Sequence, residues 1–512
     1  MTTTTAKRGV RVAIAAAAAT LLASFGIAGP SAAATPNEAR DGSSSLTIHK
    51  YEGAPVAGEN NGTELAVEPA LPGLNDVEFT LQPVLTGGAM FDLATNDGWA
   101  AAQDLFDVVG SNPTAAELTA AGVTLGAGST QITAGGTPTQ GAEATFSDLH
   151  FGLYYVTETD APAGTTPAAP FLVSVPLTNA ADQSSWLYDV HVYPKNSVSA
   201  VEKEVEDSGS IQLGDEVVFT ITADIPDLAE GTPIDGYKIV DDLDEKLDHV
   251  SATVELSNGT ALPADAYTVT PDVATPGGPE VTVEFTESGR AILKANADAQ
   301  VIVTITTTVN TVGEIENSAL LYPNAPSFDI EPGEPGGPGE PEEPVVTKWG
   351  GITLNKTNAA DGSPVEGARF HVYAGSTDVF AEATPVTVDG VAAEDGGSVW
   401  TSAEGGMVVI EGLRYSTWAN NAEVAPGEAG YLYYWLVEIE SPEGFELLPE
   451  PISFEVNSQS TAQTVTVENI PSNSGFELPL TGGAGTTAIY AAGALILAGG
   501  LVLAARSRRA KA

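Results

Sequence analysis

The sequence predicts an all-β chain built from three tandem β-sandwich domains. Turn residues are dense, with 54 Gly and 34 Pro among 512 residues. Short runs of alternating apolar and polar residues, such as 281–285 and 301–309, are typical of strands that bury one face in a sandwich. Helical periodicity is scarce, and the length allows for about three domains of ~150 residues each.

Composition excludes some classes of function. The chain carries 68 acidic and 19 basic residues, which gives a net charge of -49. Nucleic acid is therefore excluded as a partner, because phosphate binding needs a basic surface. Cysteine is absent, so the domains must be stabilised without disulfides. Hydrophobic residues make up 43% of the chain, which is enough for several buried cores.

Residues 1–34 have the pattern of a secretory signal peptide. Lys7, Arg8 and Arg11 precede an apolar run over 12–27, and the small residues at 32–34 suit cleavage. We therefore expect a secreted chain whose mature form begins at Thr35.

The first domain is expected at residues 35–197. It opens with a strand at 46–50 and closes with a strand that ends at Pro194, since proline cannot extend a hydrogen-bonded ladder. A small helical insertion at 99–121 interrupts it, with apolar side chains on roughly one face. The insertion either packs on the sandwich or offers a surface to a ligand or neighbour, and we favour packing.

The second domain is expected at residues 198–330 and the third at 348–471. The second opens with a strand near 200–205, and the third with a strand at 351–356. Residues 331–347 between them are dominated by Pro, Gly and Glu. Proline favours extended geometry, glycine loosens it and glutamates repel one another, which predicts an exposed, semi-extended linker.

Residues 472–512 form a C-terminal sorting region. The pentapeptide is Leu478, Pro479, Leu480, Thr481 and Gly482. An apolar stretch at 486–505, long enough to span a bilayer as a helix, and a basic tail follow it. This order resembles the LPxTG cell-wall sorting signal. The resemblance implies that a sortase cysteine attacks the Thr481 carbonyl, that Gly482 leaves, and that an amine resolves the thioacyl enzyme.

A second motif lies at the end of the first domain. It consists of Trp186, Val190, Val192, Tyr193, Pro194 and Lys195. The segment resembles the pilin motif of Gram-positive shaft pilins, and this resemblance implies that the Lys195 amine receives the next subunit. The alternative is an ordinary edge strand with a solvated lysine.

Each predicted domain also combines a lysine of its first strand with an asparagine near the end of its last strand. The combinations are Lys50 with Asn196, Lys203 with Asn317, and Lys356 with Asn469. First and last strands of such a sandwich can be neighbours, so the amine can meet the carboxamide inside the core. An apolar core lowers the pKa of lysine, and a buried neutral acid can handle the proton transfers of amide formation. We therefore expect intramolecular isopeptide bonds formed with loss of ammonia.

Three acids complete these combinations by resemblance. Residues 153–164 and 434–445 resemble the E-box of these pilins, with Glu158 and Glu438 as the acids. Residues 237–247 resemble the matching segment of A-type collagen-adhesin (Cna-A) domains, where Asp241 takes this role. Residues 362–370 resemble the B-type (Cna-B) repeat, so immunoglobulin-like sandwiches of both types are implied. The alternatives are solvated carboxylates and, for Glu158, a role in positioning the pilin-motif strand.

The motifs together resemble the precursor of a sortase-assembled major pilin, the shaft subunit of a covalent fimbria of actinobacterial type. The resemblance implies a cell-wall-anchored fimbrium that supports adhesion and biofilm, with Thr481 of one copy joined to Lys195 of the next. The chain would be a sortase substrate and not an enzyme, apart from its self-catalysed cross-links. The nearest alternative is a monomeric wall-anchored adhesin.

The resemblance also implies a set of partners. They are identical subunits, a pilin-class sortase, a tip pilin, a housekeeping sortase with peptidoglycan, and a glycan or protein receptor that the sequence does not identify. No cofactor and no metal are expected. Residues 241–245 carry several carboxylates and could bind calcium, but we favour the interpretation of Asp241 as a buried acid.

Overall fold

The computed structural model describes residues 35–52, 61–66, 71–180, 184–228, 231–388, 398–458 and 464–472. The expected signal peptide, the sorting motif at 478–482 and the membrane span at 486–505 lie outside these ranges. None of the helices within them is long and apolar enough to cross a membrane. The described chain is mostly β-sheet, which confirms the predicted fold class.

Two facing sheets build the N-terminal sandwich. Its strands are β1 (Ser44–Lys50), β2 (Glu78–Thr86), β3 (Ala89–Met90), β4 (Thr124–Leu125), β5 (Ser129–Ile132), β6 (Ala142–Leu149), β7 (Gly152–Asp160), β8 (Thr165–Thr166), β9 (Phe171–Val175), β10 (Leu177–Thr178), β11 (Trp186–Leu187), β12 (Asp189–Val192) and β13 (Ser197–Val198). One sheet has the order β12-β1-β6, and the other β3-β2-β7-β9 with β4 and β5 also on β2. Alternate side chains such as Leu46, Ile48 and Phe79 fill the core between them.

The helical insertion covers the outer face of the second sheet. Its helices are α1 (Asn96–Val109) and α2 (Ala115–Ala120). The side chains of Thr95 and Thr114 accept hydrogen bonds from the first turns and so cap the helices. Leu105 and Leu118 pack with Tyr155 of β7 in a second core. The insertion therefore packs on the sandwich, as favoured from the sequence.

The middle sandwich is also built from two sheets. Its strands are β14 (Val201–Glu206), β15 (Glu216–Asp224), β16 (Lys238–Asp242), β17 (Leu247–Leu256), β18 (Tyr267–Thr270), β19 (Glu280–Phe285), β20 (Gln300–Val309), β21 (Gly313–Asn317) and β22 (Leu320–Tyr322). The two sheets have the orders β14-β15-β20-β17 and β18-β19-β16-β22. A helix that the sequence pattern did not predict, α3 (Glu287–Ala295), is capped by Thr286 and buries Leu293.

The C-terminal sandwich follows the same plan. Its strands are β23 (Val345–Asn358), β24 (Arg369–Gly375), β25 (Thr384–Pro385), β26 (Trp400–Thr401), β27 (Met407–Arg414), β28 (Trp418–Ala419), β29 (Ala422–Glu423), β30 (Tyr433–Glu440), β31 (Ile452–Phe454) and β32 (Thr464–Asn469). One sheet holds β23 with β27 and β32 beside it, and the other has the order β25-β24-β30-β31 with β26 also on β24. Short 3₁₀ turns lie at Glu38–Arg40, Pro326–Asp329 and Phe380–Glu382.

Strand β23 belongs to two sandwiches. Its first residues pair with β21, so that Val345 lies opposite Asn317 and Trp349 opposite Gly313. Its later residues pair with β27 and β32. Val345 and Trp349 are buried in the core of the middle sandwich. One continuous strand thus crosses the boundary that the sequence places between residues 347 and 348. The domain limits expected from the sequence stay predictions.

Polar contacts reinforce this joint. The guanidinium of Arg414 is fully buried and donates to the backbone oxygens of Ser210 at 2.8 Å and Gly430 at 2.7 Å. The Gln212 side chain donates to the Thr387 backbone oxygen at 2.9 Å. The contacts of Ser210 with Arg414 and of Gln212 with Thr387 therefore join the middle and C-terminal sandwiches, in addition to β23.

The segment 331–347 differs from the exposed, semi-extended linker expected from the sequence. Gly337 accepts a backbone hydrogen bond from Gly164 of the first sandwich at 2.9 Å, and Gly339 pairs with Leu321. Residues 345–347 already belong to β23. The physical reason is the absence of side chains: a Cβ on Gly164 would lie 3.2 Å from the Gly339 Cα, so the two backbones approach closely. Residues 331–335 do remain exposed.

Candidate functional site

The first lysine cluster lies where β1 ends. Parallel pairing of β1 with β12 brings Lys50, the last residue of β1, to the segment that follows β12. The Lys50 amine donates to Glu158 Oε2 at 3.0 Å, to the Pro194 backbone oxygen at 3.2 Å and to Asn196 Oδ1. Asn196 Nδ2 donates to Glu158 Oε1. The structure thus brings together the predicted lysine, acid and asparagine, with all three side chains buried.

The C-terminal sandwich repeats this arrangement. Parallel pairing of β23 with β32 places Lys356 near Asn469, the last residue of β32. The Lys356 amine donates to Asn469 Oδ1, and Asn469 Nδ2 donates to Glu438 Oε1 at 2.9 Å. The amine lies 3.5 Å from the same carboxylate oxygen. Asn469 Nδ2 also donates a hydrogen bond to Ser441 Oγ at 3.3 Å.

The middle sandwich departs from this geometry. Asn317 ends β21, which pairs with β23 and not with β14, so no ladder joins the strands that carry Lys203 and Asn317. The Lys203 amine donates to Asp241 Oδ2 at 2.5 Å and to the Ser318 backbone oxygen at 2.7 Å. The Asn317 carboxamide is buried without a well-aligned hydrogen bond to any described residue. It nevertheless lies close enough to Asp241 to lower the pKa of that carboxyl.

A phenylalanine ring lies beneath each lysine amine. The distances from amine to ring centre are 5.3 Å for Phe79, 5.2 Å for Phe219 and 5.5 Å for Phe370. Phe79 and Phe370 lie opposite Glu158 and Glu438 in antiparallel ladders. The rings therefore form one wall of each cluster and exclude water from it, which strengthens its electrostatic interactions.

A backbone N–H fixes each glutamate. The Ala168 N–H donates to Glu158 Oε2 at 3.1 Å, and the Leu448 N–H donates to Glu438 Oε2 at 2.8 Å. Both donors stand ten residues after the glutamate. This repeated spacing shows that the first and third sandwiches hold their acids by the same local fold.

Burial shifts the pKa values of the three lysines and of Asp241 in the direction that favours the uncharged form. It lowers the pKa of Lys50 to about 8 against the opposing effect of Glu158. It likewise lowers the pKa of Lys203 to about 8 against Asp241, and it lowers the pKa of Lys356. Burial also raises the pKa of Asp241, and the Lys203 ammonium opposes this shift. Burial therefore favours the neutral amine in all three clusters, and in the middle cluster it also favours the neutral form of Asp241.

This arrangement can form an amide bond. A neutral lysine amine can attack the asparagine carboxamide carbon, and the C–N bond to the carboxamide nitrogen then breaks. In the first cluster one Glu158 oxygen contacts the amine and the other contacts the carboxamide nitrogen. The acid thus bridges the nucleophile and the leaving group, where it can pass a proton from the first to the second. The carboxamide nitrogen, which has gained the proton that the amine lost, leaves as neutral ammonia.

The pilin-motif residues occupy one side of the first sandwich. Trp186 lies in β11 and contacts the ring of Trp99 from α1, with ring centres 5.2 Å apart. Val190 and Val192 are buried in the core, and β12 ends at Val192. The Tyr193 hydroxyl accepts a hydrogen bond from a backbone N–H at 2.7 Å. Pro194 contributes its backbone oxygen to the Lys50 cluster, as described above.

Lys195 lies at the joint between the first and middle sandwiches. Its side chain is 27% exposed, and its amine donates to Asp227 Oδ2 at 2.7 Å. Thr481 and the rest of the sorting motif lie outside the described residues, so their predicted roles stay predictions. The carboxylates at 241–245 do not converge: Asp241 faces Lys203, and Asp244 pairs with Lys246 at 3.0 Å. No group of three metal-binding side chains occurs in the described part of the chain.

The sequence analysis did not identify several residues that contact the lysines of the candidate site. Phe370 ends the stretch 362–370 that resembles a Cna-B repeat, so a signal existed for it. Phe219 lies opposite Val205 of β14, in an alternating strand that offered no such signal. Asp227 has no motif around it, because its contact with Lys195 depends on how two sandwiches meet.

Family models match three parts of the chain. Residues 41–197 match the N-terminal domain of Gram-positive pilin subunit D1, and residues 350–471 match a prealbumin-like fold domain. Residues 470–512 match the LPXTG cell wall anchor motif. These matches define the class of protein: a wall-anchored surface subunit of pilin type.

Similarity to individual proteins extends over nearly the whole chain. It is 34% identical to fimbrial subunit type 1 of Actinomyces viscosus over 98% of this chain and 97% of that protein. It is 31% identical to fimbrial subunit type 2 of Actinomyces naeslundii over the same shares. The solved structure of the full-length major pilin SpaD from Corynebacterium diphtheriae is similar, with a TM-score of 0.62 and 27% identity over 86% of this chain and 99% of that chain.

The chain therefore belongs to the fimbrial subunits, or pilins, of Gram-positive bacteria. It is a structural subunit of a pilus shaft, with an LPXTG motif that a sortase uses for anchoring. Its location is a cell-wall-anchored fimbrium on the cell surface.

Proposed function

We propose that a pilin-class sortase joins Thr481 of one subunit to Lys195 of the next. The Lys195 amine attacks the thioacyl carbonyl carbon, a C–N bond forms, and the C–S bond to the sortase cysteine breaks. One observation carries this proposal: within a motif whose valines and tyrosine are buried, the Lys195 side chain remains 27% exposed just beyond the end of β12.

We further propose isopeptide bonds within each subunit. They join Lys50 to Asn196, Lys203 to Asn317 and Lys356 to Asn469, with Glu158, Asp241 and Glu438 as the promoting acids. Direct amine-to-carboxamide contacts support the first and third bonds. The buried Lys203–Asp241 contact, with Asn317 beside it, supports the second.

An alternative role for Glu158 stays open. Asn196 adjoins the polymerising lysine, and the Lys50 amine also holds the Pro194 backbone oxygen. The first cluster can therefore serve to fix the pilin-motif segment without a covalent bond. A cross-link and a non-covalent clamp differ by one ammonia in mass, so the two alternatives are separable.

The remaining partners are proposed from membership of the family. They are a tip pilin at the distal end, a housekeeping sortase that attaches the fibre to peptidoglycan, and a glycan or protein receptor that gives adhesion and biofilm formation. Nothing in the described residues selects one receptor over another.

Co-expression with a pilin-class sortase tests the linkage. The wild-type chain should give a boiling-resistant ladder on a denaturing gel, and Lys195→Arg should abolish it because arginine is not a nucleophile at neutral pH. Lys246→Arg is a matched control, since Lys246 is equally exposed at 27% and also pairs with an aspartate. A single band from the wild type would favour the monomeric adhesin instead.

A further inference from the structure

The Lys195 amine is held by a residue of another domain. Its Asp227 partner follows β15 in the middle sandwich, while Lys195 ends the pilin motif of the first. The Lys195 side chain is 27% exposed and that of Asp227 is 63% exposed, so the pair lies at the rim of the joint. Part of the Lys195 side chain is therefore accessible to solvent while the two sandwiches stay in contact.

The backbone around this pair is fixed by contacts across the joint. The Asp227 N–H donates to Ser197 Oγ at 2.9 Å, and Ser197 itself pairs with Thr166 of β8. Buried Asn324 of the middle sandwich donates to Thr166 Oγ1 at 3.3 Å. These hydrogen bonds hold the two backbone segments that carry Lys195 and Asp227 against each other. The ion pair thus differs from a surface pair whose two side chains move freely.

We infer that Asp227 is a positioning residue for fibre assembly, and that the acceptor site for the Thr481 carbonyl is built from two domains of the subunit. This inference rests on the proposed linkage through Lys195. A neutral amine has two N–H groups and one lone pair. With one N–H donated to Asp227, the lone pair is held in a limited range of directions.

The contribution is orientation and not activation. A carboxylate stabilises an ammonium ion over a neutral amine, so Asp227 cannot by itself make lysine a better nucleophile. Restricting a long, flexible side chain before attack lowers the entropic part of the barrier. Lys294, whose amine donates to the Leu228 backbone oxygen, lies close enough to interact electrostatically with both Asp227 and Lys195. The pair is thus part of a small charged cluster at the joint.

The test measures acyl transfer from an LPLTG donor peptide to Lys195 of the full chain by a purified pilin-class sortase. Asp227→Ala removes the acceptor oxygen, which asparagine would keep, and should lower turnover at saturating pilin about tenfold, with little change in KM for the pilin. Asp227→Glu should keep most of the wild-type rate, because its carboxylate still reaches the amine. Asp272→Ala removes the same side chain from an exposed position of the same sandwich and should leave the rate unchanged.

Three results would overturn the inference. The first is a wild-type rate for Asp227→Ala. The second is a slow rate for Asp227→Glu that equals the rate for Asp227→Ala. The third is a slower rate accompanied by a lower melting temperature, which would indicate a structural role. Hydrolysis of the donor peptide by the sortase alone monitors the first half of the reaction. A chain with Lys195→Arg that still accepts the peptide at the wild-type rate would refute the proposed linkage through Lys195. That result is distinct from the three that concern Asp227.

Discussion

Replacing Glu438 by glutamine removes the acid of the C-terminal cluster with little change in shape. The glutamine can keep the hydrogen bond from the Leu448 N–H, but it cannot pass a proton between the Lys356 amine and the Asn469 carboxamide. The predicted product is a folded C-terminal sandwich without its cross-link. The intact mass should then rise by one ammonia, roughly 17 Da, after allowance for the substitution.

The loss of stability follows from the loop that the bond closes. Lys356 and Asn469 are 113 residues apart in sequence. The chain-entropy model for a covalent cross-link gives about 5 kcal/mol for a loop of this length. For a domain of this size, each kcal/mol changes the melting temperature by about 3–5 °C. We therefore expect the melting of this sandwich to fall by roughly 15–25 °C.

Intact-mass spectrometry and calorimetry on the same samples provide the assay. Glu440→Gln is the control, since Glu440 lies on the same strand, is 59% exposed and pairs with Arg369 at 2.7 Å. An exposed pair of this kind contributes about 0–1 kcal/mol, so its loss should cause little change. If Glu438→Gln keeps the wild-type mass deficit, the acid does not promote the bond. If the wild type itself shows no deficit, the cross-link proposal is wrong.

Three further predictions concern the other clusters. Asp241→Asn should restore one ammonia and lower the melting temperature of the middle sandwich, and an unchanged mass would contradict its proposed role. Asn317→Ala leaves a free Lys203, whose pKa burial lowers from 10.5 to about 8. The folded state then binds fewer protons than the unfolded state between these values. Stability should therefore rise with pH across that window, by up to about 1.4 kcal/mol per unit in denaturant titrations, and a flat profile would count against the buried amine. If the first bond forms, Asn196→Ala should reduce the mass deficit relative to the calculated sequence mass by one ammonia; an unchanged deficit with weaker polymerisation would favour the clamp alternative.

Local features of the fold were predictable because they depend on neighbouring residues. The alternating run at 301–309 becomes β20 (Gln300–Val309), and the insertion predicted at 99–121 becomes α1 and α2. The helix α3 was not predicted, since it is only nine residues long and buries few side chains. Strand lengths near joints were also less predictable: the strand expected at 351–356 extends back to Val345 because β21 offers it a partner.

The sequence predicted which residue types form the candidate site better than it predicted how the strands bring them together. Lys50, Glu158 and Asn196 lie in motifs whose residue types suit the proposed amide formation, and parallel pairing of β1 with β12 brings them into contact. In the middle sandwich the same reasoning expected adjacent first and last strands, yet β21 pairs with β23 across the domain boundary. Asp227 could not be found at all, because a contact across a joint leaves no periodic pattern in either segment.

Tandem mass spectrometry of peptides from purified fimbriae tests the central claim most directly. We expect a branched peptide in which the Thr481 carbonyl is amide-linked to the Lys195 side chain, with no sorting residues beyond Thr481. Fimbriae whose Lys195 side chains are all unmodified, or whose Thr481 is linked to another lysine, would contradict it.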